Sequence, residues 1–285
     1  MSKAAVLTLR APAKLNLFLH VTGRRPDGYH DLETLFQLVD LCDDVRVAVR
    51  EDGQILRDPS PTDPTLGSLP DEADLTVRAA RLLQAQSGTR LGAGVHVTKR
   101  IPPGGGLGGG SSDAAAVLLA LNDLWDLGWP RERLAGLGAQ LGADVPVFIY
   151  GRNAFATGRG DVLEPVTLPA RWFLVLHPGV SVATVAIFGD PQLTRDTPAR
   201  RIPGVPPDGG HNDCEPVVRR RYPEVAAALD WLGARAVARL TGTGACVFAP
   251  FDTAAQAQAA AAELPPAWQA FVVRGVVDHW GVAKW

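Results

Sequence analysis

A glycine-rich stretch at residues 104–110 is the segment of this sequence best suited to holding a charged ligand. Six of its seven residues are glycine, and only Leu107 interrupts the run. Glycine reaches positive φ without steric cost and lets an anion approach the main chain. A β-branched run at residues 94–98 precedes the stretch, and an alanine- and leucine-rich helical pattern follows it. The order of strand, glycine loop and helix favours phosphate binding by backbone N–H groups at a helix N-terminus.

The residues after the glycines are expected to begin the helix. Ser111 and Ser112 can supply N-cap oxygens, and Asp113 would place a carboxylate in the first turn, where the helix dipole favours negative charge. The alternative is a flexible connector. The flanking strand and helix, and the lack of serine and glycine enrichment outside the stretch, argue against a connector.

Two common phosphate loops do not fit this stretch. Gly104, Gly106 and Gly109 match the dinucleotide fingerprint, which also needs a second strand with an acidic residue about 20 residues further on. Here Asp123 and Asp126 lie within a helical pattern instead. The Walker A loop needs a lysine after its last glycine, and none follows. The sequence therefore indicates a nucleoside-triphosphate loop of a third kind.

A polar face is predicted on an N-terminal strand. Residues 14–21 alternate strictly, so Lys14, Asn16, Phe18 and His20 share the face opposite to the leucines. A lysine and an asparagine side by side on a strand are typical of a solvated edge. The alternative is that the pair serves a ligand.

Three further loop positions have both a structural and a functional interpretation. Tyr29 and His30 follow a Pro-Asp-Gly turn and can point into a site or pack locally. Asp144, in an apolar segment, can cap a short helix or place a carboxylate in a cleft. The glycines in residues 242–244 can make a hairpin or bring backbone N–H groups against a ligand.

Hydrophobic periodicity predicts both α and β structure along the chain. From residue 171 onward the pattern reads β-α-β-β-α-β, which is typical of an antiparallel ferredoxin-like sheet. A linker near residues 165–171 is a plausible domain boundary, which gives domains at 1–165 and 166–285. Further strands are expected at 44–50 and 94–98, and helices at 71–86 and 131–141.

Composition is that of an ordinary globular protein. The chain has 285 residues, a net charge of −2 and 46% hydrophobic residues, so it offers no electrostatic case for binding nucleic acid or a membrane surface. The three cysteines have no metal-ligand spacing and fit reduced thiols in the cytoplasm. No signal segment or membrane-spanning run is recognisable in the sequence.

Four separated segments together resemble the motifs of the GHMP small-molecule kinases. They are residues 12–17 (PAKLNL), 103–112 (PGGGLGGGSS), 142–146 (GADVP) and 242–245 (GTGA). Within that family, residues 27–30 (DGYH), the doubled glycine triplets and residues 212–215 (NDCE) are similar to the members that act on a cytidylyl methylerythritol. The resemblance covers roughly residues 10–250.

The resemblance implies an α+β fold of two domains with the active site in the cleft between them. The N-terminal domain would be similar to ribosomal protein S5 and would carry the glycine loop, and the C-terminal domain would be ferredoxin-like. The implied partners are small molecules: ATP, with Mg²⁺, and a cytidylyl methylerythritol whose 2-hydroxyl receives the γ-phosphoryl group. Neither nucleic acid nor a membrane is expected as a partner.

The resemblance also assigns roles to individual residues. Lys14 and Asp144 would be catalytic, with Lys14 pairing with Asp144 and the incoming charge, and Ser112 is a candidate Mg²⁺ ligand beside Ser111. The ATP site would consist of Pro102, Pro103, Gly104, Gly105, Gly106, Leu107, Gly108, Gly109, Gly110, Ser111 and Ser112. The acceptor site would consist of Asn16, Tyr29, His30, Phe188, Gly242, Thr243 and Gly244, in which Tyr29 and Phe188 stack on the cytosine.

Two other functions stay open at this point. One is a kinase of the same family with another acceptor, such as mevalonate, homoserine or a sugar, which would not need Tyr29, His30 and Phe188 around a base. The other is a nucleotide-binding relative without activity, against which the presence of both Lys14 and Asp144 speaks. For Phe188, the alternative to a stacking role is an ordinary core position in a short helix.

Overall fold

The computed structural model describes residues 5–58, 70–200 and 210–277. Two proline-rich segments, 58–70 and 195–210, lie mostly outside the described residues. Within the described part, no helix is long and apolar enough to cross a membrane.

The described part of the chain combines long strands with short and medium helices. The strands are β1 (Val6–Arg24), β2 (His30–Arg50), β3 (Ile55–Arg57), β4 (Gly92–Thr98), β5 (Ala154–Thr157), β6 (Val162–Pro165), β7 (Trp172–His177), β8 (Arg239–Leu240), β9 (Val247–Phe251) and β10 (Gln269–Arg274). The helices are α1 (Leu75–Ser87), α2 (Gly109–Leu124), α3 (Arg131–Gly138), α4 (Val145–Tyr150), α5 (Thr184–Phe188), α6 (Glu215–Arg221), α7 (Pro223–Gly233) and α8 (Ala254–Ala262).

The chain forms two compact units that interleave along the sequence. Among the described residues, the first unit contains 5–12, 42–58, 70–101 and 108–151. The second contains 13–41, 102–107, 152–200 and 210–277. Strands β1 and β2 and the glycine loop each contribute residues to both units. The division into domains at residue 165 stays a prediction.

The first unit is built around a buried helix. In its sheet, the second half of β2 pairs antiparallel with β4, and β3 pairs parallel with β4. Nearly all of α2 between Ser112 and Asn122 is buried, since alanine and leucine line every side of that helix. Helix α1 begins at Leu75, four residues later than predicted, because the Asp74 side chain caps it by accepting from Thr76 N at 2.8 Å.

The second unit confirms the predicted ferredoxin-like sheet. Its strand order is β10-β7-β9-β8, and every neighbouring pair is antiparallel. Numbered along the chain, these four strands have the order 4-1-3-2 that a split β-α-β motif produces. Strand β2 belongs to a six-stranded sheet of order β3-β4-β2-β5-β6, in which β1 also pairs with β2 and the first half of β2 pairs antiparallel with β5.

Two expectations about the N-terminal strands need correction. Strand β2 begins at His30 rather than at residue 44, so the apolar segment before residue 41 is also strand. The polar face of β1 is not a solvated edge, because Lys14 and Asn16 are each 3% exposed and His20 is fully buried. The turn between the strands is confirmed: Gly28 has φ of +87°, and Asp27 Oδ1 accepts from Tyr29 N at 3.1 Å.

The expected start of helix α2 is wrong. The helix begins at Gly109 after Gly108, which adopts φ of +74° at the N-cap position. Ser111 and Ser112 are therefore inside the helix and do not cap it, and Asp113 lies beyond its first turn. The run of glycines allows the main chain to enter the helix two residues before the first polar side chain.

Candidate functional site

The polar face of β1 carries a buried hydrogen-bonded pair in the second unit. Lys14 Nζ donates to Asn16 Oδ1 at 2.5 Å and to the carbonyl oxygen of Gly106 at 2.9 Å. Lys14 N also donates to the carbonyl oxygen of Leu107 at 3.0 Å. The predicted catalytic lysine is therefore attached, through both its side chain and its main chain, to the glycine loop.

Asn16 is held from three sides. Its Nδ2 donates to Thr34 Oγ1 at 2.8 Å, and its main-chain N donates to Thr241 Oγ1 at 3.0 Å. Thr34 and Thr241 are as deeply buried as Asn16 itself. A buried amide with this many partners has one fixed orientation.

The first half of the glycine loop packs against the segment that joins β8 to β9. Ala245 N donates to the carbonyl oxygen of Gly104 at 3.1 Å, and Cys246 N donates to that of Gly105 at 3.0 Å. Gly106 has φ of +73°, and a Cβ added there would lie 2.3 Å from the carbonyl oxygen of Thr241. The absence of a side chain at Gly106 is thus required by the protein's own backbone as well as by any ligand.

The second glycine motif, at 242–244, is fixed by a neighbouring asparagine. Gly242 and Gly244 have φ of +56° and +87°. Asn212 Nδ2 donates to the carbonyl oxygens of Leu240 at 2.9 Å and Gly242 at 2.8 Å. Thr243 Oγ1 lies 3.0 Å from Thr184 Oγ1, at the start of α5. The motif is therefore a loop fixed by side-chain hydrogen bonds beside the glycine loop, and it is not a simple two-residue hairpin.

His30 and Phe188 form a pair of stacked rings. Their centroids are 5.2 Å apart, with 29° between the ring planes. Arg195 Nε donates to His30 Nε2 at 3.0 Å, while the same guanidinium donates to the carbonyl oxygens of Phe188 at 2.9 Å and Asp190 at 2.7 Å. Burial lowers the pKa of His30 below its usual 6.5, and the charges of Arg195 and Arg24 add to this effect. The ring is therefore neutral at pH 7, with its proton on Nδ1.

Tyr29 has a different setting from the one that sequence suggested. Its side chain is among the exposed large apolar groups, at 57% exposure, and the Arg159 guanidinium lies 5.2 Å from its ring centroid. The structure brings His30, and not Tyr29, against Phe188.

In the first unit, the start of α2 lies over a buried charge cluster. Lys99 Nζ contacts Asp43 Oδ2 and donates to Asp113 Oδ2 at 2.8 Å. Asp43 Oδ1 also accepts from Arg100 N at 2.5 Å and Ile101 N at 2.9 Å, where the chain enters the glycine loop. Burial raises the pKa of Asp113 to about 7, with Asp43 adding to the shift and Lys99 opposing it. Burial works against the charge of Lys99, but the two carboxylates outweigh it and raise the pKa of Lys99.

Two oxygens at the start of α2 have no hydrogen-bond partner among the described residues. They are Ser112 Oγ and Asp113 Oδ1, and both residues are nearly or fully buried. Buried hydroxyl groups in proteins almost always have a partner. Ser112 therefore has an acceptor and donor available at the place where a phosphate or a cation bound to it is expected.

Asp144 immediately precedes α4 and is half-buried. Its side chain makes no capping hydrogen bond to that helix, which removes the capping interpretation. The same Gly-Ala-Asp segment approaches the start of α2, because a Cβ added at Gly142 would lie 3.7 Å from Ser111 Oγ. Within the first unit, the structure thus places Gly142 beside Ser111, in the first turn of α2.

Several residues of this arrangement have no counterpart in the sequence-based prediction. Thr241 directly precedes a recognised motif, and Asn212 lies in a segment that carries the resemblance. The sequence around each of them therefore gives a local signal. Thr34 lies in an apolar run, and Arg195 is in a proline-rich segment without a motif. Neither position gives a local signal, because its partners are distant in sequence.

Family models and known proteins agree about this chain. The GHMP kinases N-terminal domain matches residues 74–152, and the GHMP kinases C-terminal model matches residues 208–269. Two curated relatives, from Alkalilimnicola ehrlichii and Thiobacillus denitrificans, are 55% and 54% identical. The first alignment covers 93% of this chain and 90% of the relative, and the second covers 94% and 95%. Both relatives are named 4-diphosphocytidyl-2-C-methyl-D-erythritol kinase.

Solved structures extend the comparison. A crystal structure of 4-(cytidine 5'-diphospho)-2C-methyl-D-erythritol kinase is 34% identical with a TM-score of 0.77, and the match covers 95% of this chain and all of that chain. A homoserine kinase from Cytophaga hutchinsonii is 18% identical with a TM-score of 0.65, over 98% and 97% of the two chains, and shares the fold alone. With such identity over nearly its whole length, the chain belongs to the GHMP kinases and, among these ATP-dependent small-molecule kinases, to the 4-diphosphocytidyl-2-C-methyl-D-erythritol kinase family.

Proposed function

We propose that this chain transfers the γ-phosphoryl group of ATP to the 2-hydroxyl of 4-diphosphocytidyl-2-C-methyl-D-erythritol. The products are the 2-phosphate and ADP, and the reaction belongs to non-mevalonate synthesis of isoprenoid precursors. The observation that carries the proposal is the 2.9 Å bond from Lys14 Nζ to the carbonyl oxygen of Gly106. It attaches a buried ammonium directly to the loop expected to hold the phosphates.

The glycine loop would bind the triphosphate of ATP. Its main-chain N–H groups and the start of α2 offer hydrogen bonds and a favourable dipole to an anion. Residues 102–112 supply this cradle, with Gly108 in the left-handed conformation that turns the chain into the helix. Phosphoryl transfer depends mainly on such positioning and on neutralising charge.

Ser112 would hold Mg²⁺ at the phosphates. Support comes from its buried Oγ, which has no partner among the described residues, and from the preference of Mg²⁺ for oxygen ligands. The cation would neutralise charge on the β- and γ-phosphate oxygens. Ser111, one residue earlier and beside Gly142, would line the same end of the loop.

Lys14 and Asp144 would act on the transferring group and on the acceptor hydroxyl. The Lys14 ammonium would stabilise the negative charge that develops on the phosphoryl oxygens. Asp144 would orient the hydroxyl and accept its proton. A loose transition state needs no strong base, because the proton leaves late, when the bond to phosphorus is already forming.

The cytidine end of the acceptor would rest against His30 and Phe188. Stacked on Phe188 and neutral, His30 carries a proton on Nδ1 that can be donated to an oxygen or nitrogen of cytosine. Arg195 would fix both rings, and Tyr29, which is exposed, would cover the base from outside. Asn16 and residues 242–244 would contact the methylerythritol and its phosphates.

Two alternatives remain as outcomes of a direct test. The purified chain is incubated with ATP, Mg²⁺ and one acceptor at a time: the cytidylyl methylerythritol, its uridylyl analogue, mevalonate or homoserine. ADP release and acceptor phosphate are both measured. We expect turnover with the cytidine compound and poor turnover with the uridine analogue, because a site that hydrogen-bonds a base rejects analogues that leave its groups unpaired. A preference for mevalonate or homoserine would show that the chain is a GHMP kinase with another acceptor. No ADP release with any acceptor would favour a nucleotide-binding protein without activity.

We also propose that the chain works in the cytoplasm. Its three cysteines, Cys42, Cys214 and Cys246, are buried thiols that are not joined in disulfides. Thiols of this kind fit a reducing compartment.

A further inference from the structure

The orientation of the Asn16 amide decides whether Oδ1 or the Nδ2 group faces the Lys14 ammonium. A carboxamide presents an oxygen at one end and an NH₂ group at the other, and the two ends have almost the same shape. In the structure the oxygen end faces Lys14 Nζ at 2.5 Å. The reverse orientation would direct N–H donors at an ammonium, which offers only donors itself. The ammonium itself therefore disfavours the reverse orientation, and a group at the far end of the amide can strengthen this preference.

Thr34 favours the same orientation from the Nδ2 end of the amide. Its single hydroxyl hydrogen is donated to the carbonyl oxygen of Phe18 at 2.5 Å. Because that hydrogen is used, Thr34 Oγ1 can only accept from Asn16, and it does so from Nδ2 at 2.8 Å. Thr34 is 1% exposed and Asn16 is 3% exposed, so water does not substitute for these hydrogen bonds.

Thr241 supports Asn16 without choosing its orientation. Its Oγ1 accepts from the main-chain N of Asn16 at 3.0 Å. Its own hydrogen has two acceptors at 3.4 Å, Asn16 Oδ1 and the carbonyl oxygen of Gly106. Since a long, shared bond of this kind weakly distinguishes oxygen from NH₂, Lys14 and Thr34 are the two groups that fix the orientation of the amide.

We propose that Thr34 is a positioning residue for phosphoryl transfer: it fixes Asn16 so that an amide oxygen, rather than an NH₂ group, faces the Lys14 ammonium. The inference rests on the proposed role of Lys14. Thr34 acts through Asn16. With its hydroxyl removed, the Asn16 amide loses the acceptor for its NH₂ group and is held less firmly, so one of the acceptors of Lys14 is less well positioned while the carbonyl oxygen of Gly106 remains.

The test is the isosteric variant Thr34→Val with Thr34→Ser beside it. Losing a hydrogen bond next to a charge is expected to lower kcat by about tenfold to a hundredfold while the KM for ATP changes by less than about twofold. Thr34→Ser keeps the hydroxyl and is expected to keep most of the turnover. Thr76→Val is the matched control, because Thr76 is equally buried and donates to Asp74 Oδ1 at 2.6 Å in the first unit, so it should lose stability without losing kcat.

A double-mutant cycle separates positioning from general damage. If Thr34 acts through Asn16, the variant with both Asn16→Ala and Thr34→Val is no slower than Asn16→Ala alone. If the losses of kcat in the two single variants multiply in the double variant, the inference is overturned. It is also overturned if Thr34→Val keeps the wild-type kcat. Lys14→Ala, measured in parallel, reports on the proposed function itself: if it retains turnover, the role of Lys14 fails, whereas an inactive Lys14→Ala beside a fully active Thr34→Val refutes only the role of Thr34.

Discussion

Lys14 and Lys99 are two buried lysines that the protein holds in different ways. Lys14 in the second unit donates to two carbonyl oxygens, those of Asn16 and Gly106. Lys99 in the first unit contacts two buried carboxylates, Asp43 and Asp113. A hydrogen bond from an ammonium to a carboxylate is charge-assisted at both ends and stronger than one to a neutral oxygen, so the two carboxylates make Lys99 a strong cross-link within its unit.

The difference suggests a division of work along one loop. Lys99 and its carboxylates fix the residues that enter the glycine loop and the helix that leaves it, since Asp43 also accepts from Arg100 N and Ile101 N. Lys14 contacts the middle of the loop, at Gly106 and Leu107. Replacing Lys99 is thus expected to affect stability most, and replacing Lys14 is expected to affect catalysis most.

The largest effect is expected when Lys99 is replaced by methionine. The variant leaves Asp43 and Asp113 buried without their cation, and breaking one side of a buried ion pair costs about 3–5 kcal/mol of unfolding free energy. Urea titration at pH 8 measures it. Arg81→Met is the control, because Arg81 forms exposed ion pairs with Asp71 and Glu72 and should change stability by less than about 1 kcal/mol. Equal stability of Lys99→Met and the parent chain would contradict the structural role of this cluster.

A pH dependence should come from the same cluster. The pKa of Asp113 rises on folding from 3.8 to about 7, so between these values the folded chain holds a proton that the unfolded chain has released. Stability therefore falls as pH increases through this window, by up to about 1.4 kcal/mol per pH unit for one proton. Asp113→Asn removes this titration while the Lys99–Asp43 pair remains.

Unfolding of the two proteins is compared between pH 4 and pH 8 in buffer without metal or nucleotide. The parent chain is expected to lose stability relative to Asp113→Asn as pH rises. Parallel stability curves would show that Asp113 titrates normally and that the burial of the cluster has little electrostatic effect.

Replacing Lys14 should remove catalysis while the chain still folds. Lys14→Ala and Asp144→Asn are each expected to lower kcat by about a hundredfold or more, because both act on charge and position in the transition state. Steady-state kinetics with the cytidine acceptor measures the loss, and thermal unfolding checks the fold. Wild-type turnover in either variant would mean that the catalytic pair is wrongly assigned.

Local patterns in the sequence were sufficient to predict the ferredoxin-like sheet, whereas the fold of the N-terminal domain was expected from the family resemblance. The 4-1-3-2 sheet followed from the order of strand and helix patterns after residue 171, because each pattern depends on neighbours along the chain. The start of α2 was predicted wrongly, since serines are common N-caps and nothing in the sequence shows that Gly108 adopts φ of +74°. The alternation in β1 left open whether its polar face is solvated or covered, because a period of two gives the face of each side chain but not what packs on it.

The site was predictable only where a motif contained its residues. Lys14, the glycine loop and residues 242–244 belong to recognisable segments, and the structure brings Lys14 to Gly106. Their supports come from elsewhere: Thr34 lies 18 positions from Asn16, and Arg195 lies 165 positions from His30. A side chain that works by holding another has no pattern of its own, so its role appears only with the tertiary contacts.

The smallest expected effect is a loss of acceptor affinity when the rings proposed to contact the base are replaced. These variants test the proposed base pocket in the second unit. Stacking of a base on an aromatic ring contributes about 1–3 kcal/mol, so Phe188→Ala should weaken acceptor binding about tenfold to a hundredfold. His30→Ala should also relax the preference for cytidine over uridine, because it removes a hydrogen-bonding group of the pocket. Binding of ATP should change little in both variants. Calorimetric titration with each ligand gives these numbers.

Tyr29→Ala is the decisive comparison for that pocket. Tyr29 is exposed and lies beside Arg159, whereas His30 already contacts Phe188. If the base binds to the rings as they stand, Tyr29→Ala should cost less acceptor affinity than Phe188→Ala. An equal loss in both variants would show that Tyr29 moves onto the base when the acceptor binds, and would restore the sandwich that the sequence predicts. Unchanged acceptor affinity in Phe188→Ala would exclude the pocket and reopen the identity of the acceptor.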